Sequence, residues 1–212
     1  MLDIIHWLGH DSFRLDGSVT VYVDPWKLPA GQPRAGLILV THDHYDHLSL
    51  PDIEGIAGPD TVVVGPASVT VQVRDLETVT LAPRGRAQVS GVDVEAVAAY
   101  NLDKFRAPGQ PFHPREAGHL GYVFTLDGVR YYHAGDTDAV PEMRDVRCDV
   151  ALLPVSGTYV MTCDEACDAC DMVTAQVAVP MHYGDIVGDA AAAERFRDKC
   201  SIPVTILPLE RE

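Results

Sequence analysis

The sequence predicts an α/β fold in which two β-sheets are covered by helices, and three observations predict it. Short strands separated by turn signals crowd the first forty residues, strands and helices alternate over the last sixty or so, and no internal repeat or low-complexity tract interrupts the chain. With 212 residues, one domain spanning 1–212 is expected.

Residues 3–8, 12–15 and 19–23 are rich in branched and aromatic side chains and are divided by Gly9-His10 and Asp16-Gly17, which reads as a β-meander. Residues 36–40 form a continuous apolar run of strand length, ending where Thr41-His42-Asp43-His44 must leave the core. A short helix over 51–57, a buried strand over 61–64 and a second helix over 67–75 follow, then strand character over 87–98. Between 100 and 118 prolines, glycines and charges recur without period, which predicts a loop overhanging a site. Asp127-Gly128 joins strands 120–126 and 129–133 as a two-residue hairpin. Residues 149–153, 162–173, 176–180 and 190–199 then read as strand, helix, strand, helix.

A formal net charge of −15 repels polyanions and argues against nucleic-acid binding through a basic surface. The start of the chain carries no export pattern, and no run reaches the roughly 18 apolar residues of a membrane span, so a cytoplasmic location without membrane contact is expected. The odd count of five cysteines points to reduced thiols rather than a disulfide framework. Cys163, Cys167 and Cys170 have a spacing also used to hold iron–sulfur clusters, but Thr162 and Glu165 form a capping box, and the thiols then fall on one face of a helix as small core residues.

The chemistry concentrates in His42-Asp43-His44-Tyr45-Asp46-His47. Three imidazoles and two further carboxylates in six residues are costly to fold unless a divalent metal binds them. Alternation puts His42 and His44 on one side, and the following turn can aim Asp46 and His47 at a second point. Further ligands must come from distant segments: Asp136 in His133-Ala134-Gly135-Asp136-Thr137, His182 in Met181-His182-Tyr183-Gly184, and His113 between two prolines.

Thr-His-Asp-His-Tyr-Asp-His at 41–47 resembles the HxHxDH signature of the metallo-β-lactamase superfamily. Tyr-His-Ala-Gly-Asp-Thr at 132–137, Pro-Met-His-Tyr-Gly at 180–184, Trp-Leu-Gly-His at 7–10 and Val-Asp-Pro-Trp at 23–26 are similar to motifs of its small bacterial and archaeal hydrolases, which include the ascorbate-6-phosphate lactonase group. The resemblance implies a four-layer αββα sandwich. It makes His42 and His44 ligands of a first metal, Asp46, His47 and His182 ligands of a second, and Asp136 the bridge. Where many members carry a further histidine this chain reads Ala98-Ala99-Tyr100-Asn101, so His113, with His119 as the substitute, is expected to complete the first site.

The implied activity is hydrolysis of a small anionic ester, phosphodiester or lactone by a hydroxide bridging two divalent ions, zinc or alternatively manganese, with Asp46, Asp136 and His10 as the residues at the reaction. Two ions, two ligating carboxylates and a hydroxide leave the centre near about +1, so an anion can enter an acidic protein. Lys104, Arg106 and Arg115 are candidates for contacts to that anion, and Asp24 and His133 for supporting the ligands; His10 and His133 are the candidate acids for the leaving group. The alternative is a metal-binding scaffold or ligand-sensing module of the same fold that hydrolyses nothing. A nuclease would need a nucleic-acid-binding element that the sequence lacks. Association with further copies of the chain is left open.

Overall fold

In the computed structural model, which describes residues 1–210, the chain runs β1 (Ile5–Gly9), β2 (Ser12–Asp16), β3 (Thr20–Val23), β4 (Ala35–Leu39), α1 (Leu50–Ile56), β5 (Ala57–Gly65), α2 (Ala67–Thr70) and β6 (Glu77–Thr80). It continues through β7 (Arg86–Val89), β8 (Val92–Ala98), β9 (Phe105–Ala107), β10 (Gln110–Pro111), β11 (Leu120–Leu126), β12 (Val129–His133), β13 (Val150–Pro154), α3 (Cys163–Met172), β14 (Val177–Met181) and α4 (Ala190–Lys199). Two six-stranded mixed sheets result, in the orders β1-β2-β3-β4-β5-β6 and β14-β13-β12-β11-β8-β7.

Strand alternation decides which side chains face which layer. Val21, Val23, Leu37, Leu39, Val62 and Val64 point into the space between the sheets. Their neighbours Tyr22, Ile38 and Val63 point outward against Ile53 and Ile56 of α1 and Val69 of α2. On the other outer face α3 and α4 lie over β13 and β14, closing the αββα order.

Three elements differ from the sequence reading. The helix expected over 67–75 stops at Thr70: Pro66 offers no side-chain cap, and Thr70, Val71 and Val73 are β-branched. The strand character over 87–98 resolves into the β7–β8 hairpin, turning at Ser90 and Gly91, whose φ angles of 51° and 81° suit a two-residue turn. Residues 100–118 are not structureless, since β9 and β10 pair within them. α3 has the capping box the sequence spells: Thr162 accepts from the Glu165 backbone and Glu165 reaches back to Thr162. On α3, Cys170 is buried and Cys163 and Cys167 are half-buried, so the stripe is only partly a core one. Among the described residues no helix is long and apolar enough to cross a membrane.

Candidate metal centre

The chemical residues meet where strands from both sheets end. His42 follows β4, Asp24 follows β3, Asp136 follows β12 and His182 follows β14; His10 and Asp11 form the β1–β2 turn, and His113 and His119 precede β11. Backbone bonds stitch this edge together, with His182 donating to the His10 carbonyl at 3.1 Å and Leu120 to that of Thr41 at 3.0 Å. His10, Asp24 and His182 sit at φ 52°, 45° and 59°, a left-handed region that costs a residue with a Cβ roughly 1–3 kcal/mol. Gly135, at φ 66°, must be glycine, because a Cβ there would meet the Leu120 carbonyl oxygen at 2.8 Å.

Three buried imidazoles each spend Nδ1 on a partner and turn Nε2 toward Asp136. His47 Nδ1 donates to Asp24 Oδ2 at 2.8 Å, and its Nε2 is 3.5 Å from Asp136 Oδ1. His113 Nδ1 donates to Asn101 Oδ1 at 3.0 Å, leaving Nε2 3.2 Å from Asp136 Oδ2. His182 Nδ1 meets Ser156 Oγ at 2.9 Å, with Nε2 3.4 Å from Asp136 Oδ2. In a neutral ring whose Nδ1 carries the hydrogen, Nε2 presents a lone pair, and a lone pair aimed at a carboxylate oxygen is repulsive unless a proton or a metal cation lies between them. His42 Nε2 accepts from His44 Nδ1 at 3.0 Å.

The model of the β-lactamase superfamily domain matches residues 4–182. The chain belongs to the metallo-β-lactamase superfamily. It is 36% identical over 200 residues to a UPF0173 metal-dependent hydrolase of Methanoculleus marisnigri, covering 90% of this chain and 85% of the relative. Against a UPF0173 metal-dependent hydrolase of Thermoplasma volcanium the identity is 31% over 209 residues, covering 92% and 89%. A crystal structure from Parabacteroides distasonis superposes with a TM-score of 0.82 at 31% identity, covering 97% of this chain and 93% of that one. A metallo hydrolase from Ignicoccus hospitalis, 22% identical, shares the fold with a TM-score of 0.77, over 96% and 94%.

In this superfamily member the donors fall into overlapping groups whose ligand atoms lie within 4.8 Å of one another: His42 with His113 and His119, His42 with His47 and Asp136, and His10 with Asp11, His47 and His182. His113 and His119, alternatives in the sequence, both reach His42; the His119 ring stacks on it at 4.7 Å. Asp46 stands at the rim, its Oδ2 3.3 Å from His10 Nε2, and His44 is half-buried beside it. His47 Nε2, Asp136 Oδ1, His119 Nδ1 and both Asp11 oxygens are buried without a hydrogen-bond partner. Nitrogen lone pairs and carboxylate oxygens converging without donors fit divalent cations.

The electrostatics divide the rings into two kinds, four held neutral and one, His47, held charged by the carboxylates it faces. Burial pushes His42 well below its usual range and His10 and His44 below theirs, and His119 down to about 4, so all four rings are neutral donors near pH 7. Burial also opposes the charged forms of Asp136 and His47, yet the His182 and His47 charges hold Asp136 well below the carboxylate range, and Asp136 and Asp24 hold His47 well above the imidazole range. Burial and the facing charge of Asp136 hold the Asp11 carboxyl well above its range.

Three of the supporting roles expected from sequence change. Lys104 is locked to Glu165 at 2.7 Å and Asp138 at 3.3 Å, and Arg115 pairs with Glu142 at 2.7 Å, so both are committed elsewhere. Only Arg106 lines the cleft of about 490 Å³ over the site, with Tyr45, Phe112, Tyr159 and Ile186. His133 gives Nε2 to the Asp11 carbonyl at 3.0 Å and takes the Gly135 amide on Nδ1 at 3.2 Å, which leaves no ring nitrogen for acid work. Sequence reading passed over Asp11, Asn101 and Ser156. Asp11, next to His10 in a turn, carried the one available signal.

Proposed function

We propose that this chain is a two-metal hydrolase, zinc- or manganese-dependent, that cleaves a small anionic ester, phosphodiester or lactone. The observation that carries the reading is Asp136, whose carboxylate lies within 3.5 Å of His47, His113 and His182, three imidazoles from separate segments. The names of the UPF0173 relatives agree with metal-dependent hydrolysis.

His42, His44 and His113 would hold the first ion, with His119 beside them, Asp46, His47 and His182 would hold the second, and Asp136 would serve both. When bound, two divalent cations supply an acidified water and electrophilic pull on the substrate. The chain's own residues orient and exclude. Asp24 and Asn101 fix the ring tautomers, His10 stands behind Asp46 as the group able to pass a proton, and Arg106 at the cleft mouth meets the substrate's negative charge. Phe112, Tyr159 and Ile186 give the cleft walls that displace water. Five free thiols suit a reducing compartment such as the cytoplasm.

Metal content and turnover of a panel of phosphodiesters, lactones and thioesters test this. Close to two ions per chain and hydrolysis abolished by Asp136→Ala are expected. Full turnover by a chelator-stripped sample overturns the mechanism, and a metal-replete protein that leaves the whole panel intact favours a non-hydrolytic scaffold.

A further inference from the structure

We propose that Asp11 is a ligand of the second ion, a third carboxylate that makes this site oxygen-rich and tilts it toward a hard, six-coordinate cation such as Mn2+ rather than Zn2+. The inference rests on the two-metal reading and deepens it.

Asp11 is fully buried and neither of its oxygens accepts from a donor group; its carboxyl instead faces that of Asp136, so that one proton or a cation must lie between the two acids. The carboxylate lies 3.8 Å from His47 Nε2, the nitrogen left over after Asp24 has taken Nδ1. One of its oxygens falls within 4.8 Å of ligand atoms of His10, His47 and His182 together. The position is held rather than incidental. His133 Nε2 donates to the Asp11 carbonyl at 3.0 Å, while Trp7 Nε1 at 3.0 Å and the His182 amide at 3.1 Å both donate to the carbonyl of His10. A structural aspartate in such a turn would accept from a backbone amide or a cationic side chain, as Asp24 does from the Thr41 amide at 2.7 Å. Asp11 accepts from neither, and its acidic neighbour Asp136 is already surrounded by imidazoles.

Coordination number gives the metal preference. His10, which shares the donor group of Asp11, His47 and His182, turns Nε2 to Asp46 Oδ2 at 3.3 Å; adding Asp11 to the proposed Asp46, His47, Asp136 and His182 would then give five protein donors, more than the four of a tetrahedral zinc site and close to the six of an octahedral one. Three of the five are carboxylates, the donor type that manganese shares with magnesium and calcium. The first site, built of imidazoles and Asp136, stays suited to zinc, so the two positions differ in kind. With three carboxylates and a hydroxide, the loaded centre is neutral rather than cationic, which shifts the burden of holding an anionic substrate onto Arg106.

Chelator competition on the full chain, titrating Mn2+ and Zn2+ separately into wild type and Asp11→Asn, tests the inference. Wild type taking up two ions while Asp11→Asn binds one Mn2+ at least about tenfold more weakly, with Zn2+ less affected, supports it. Two ions in wild type with both affinities unchanged in the variant overturns the Asp11 assignment and leaves the two-metal reading standing. No ions in wild type overturns both. If Asp11→Asn does not fold, anomalous diffraction from Mn2+-loaded wild type decides: an Asp11 oxygen within about 2.6 Å of an ion supports coordination, and one beyond about 3.5 Å overturns it.

Discussion

Asp24 Oδ2 lies 2.8 Å from Nδ1 of His47, and both side chains are fully buried. Thr41 holds the same carboxylate from the other side, its amide at 2.7 Å and its hydroxyl at 2.6 Å, so the ring of His47 has one orientation. An imidazole fixed in this way binds metal through Nε2 and is made more basic by the carboxylate behind it. Asp24→Asn is therefore expected to weaken metal binding by about 10–100-fold without removing any ligand, measured by competition against a coloured chelator.

His113 and His119 should separate on substitution. His113 Nε2 faces Asp136 at 3.2 Å, whereas His119 Nε2 points toward Asp43 at 3.9 Å. His113→Ala is expected to bring metal content from close to two ions per chain to close to one, and His119→Ala to leave it near two. Mass spectrometry of native protein or elemental analysis checks this, and the reverse result would give the place to His119.

Acid should destabilise the metal-free protein. His119 has its folded pKa depressed from 6.5 to about 4, so its contribution is fully present above pH 6.5 and is lost as pH falls through 4, where the folded ring must also take a proton. At about 1.4 kcal/mol per pKa unit, this one ring accounts for about 3 kcal/mol, to order of magnitude. Urea midpoints of apo protein between pH 7 and 4 should fall, and His119→Asn should flatten that fall.

Alkali should act through the thiols. Burial raises Cys148 from 9.0 to about 12 and Cys167 to about 11, so folding favours the protonated thiols; that stability is intact below pH 9 and is lost as pH climbs toward 11–12. Cys148→Ala should shrink the loss seen in denaturation midpoints above pH 9, and an unchanged slope would remove Cys148 from the explanation.

Lys104 and Arg106, two residues apart, should behave differently. Lys104→Ala breaks the contacts to Glu165 and Asp138 and should lower the melting temperature while leaving KM unchanged. Arg106→Ala should raise KM several-fold for an anionic substrate with little change in melting, since Arg106 sits at the cleft mouth.

The parts of this molecule that were legible in sequence are those written locally. The apolar run ending in Thr41 announces a strand delivering histidines, Thr162 and Glu165 announce the start of α3, and Asp127-Gly128 announces the β11–β12 hairpin. The α2 segment misleads because its apolar spacing suits a helix while its branched side chains resist one. Asn101 is illegible, and Asp11 is marked only by its place next to His10, for a different reason. Asparagine 101 works only because residues 12 positions apart fold its amide against His113, and Asp11 only because its turn inserts beside His47. Likewise nothing in Lys104 reveals that Glu165, 61 residues later, will claim it.

Because the donors run from the β1–β2 turn to the residue after β14, the assembly order during synthesis is constrained. The hexapeptide at 42–47 is made early, and His182, the last of the proposed donors to the second position, comes 135 residues after His47. On the proposed assignment, a product stopping short of β14 would keep the donors of the first position, His42, His44, His113 and Asp136, and lack only His182 of the second.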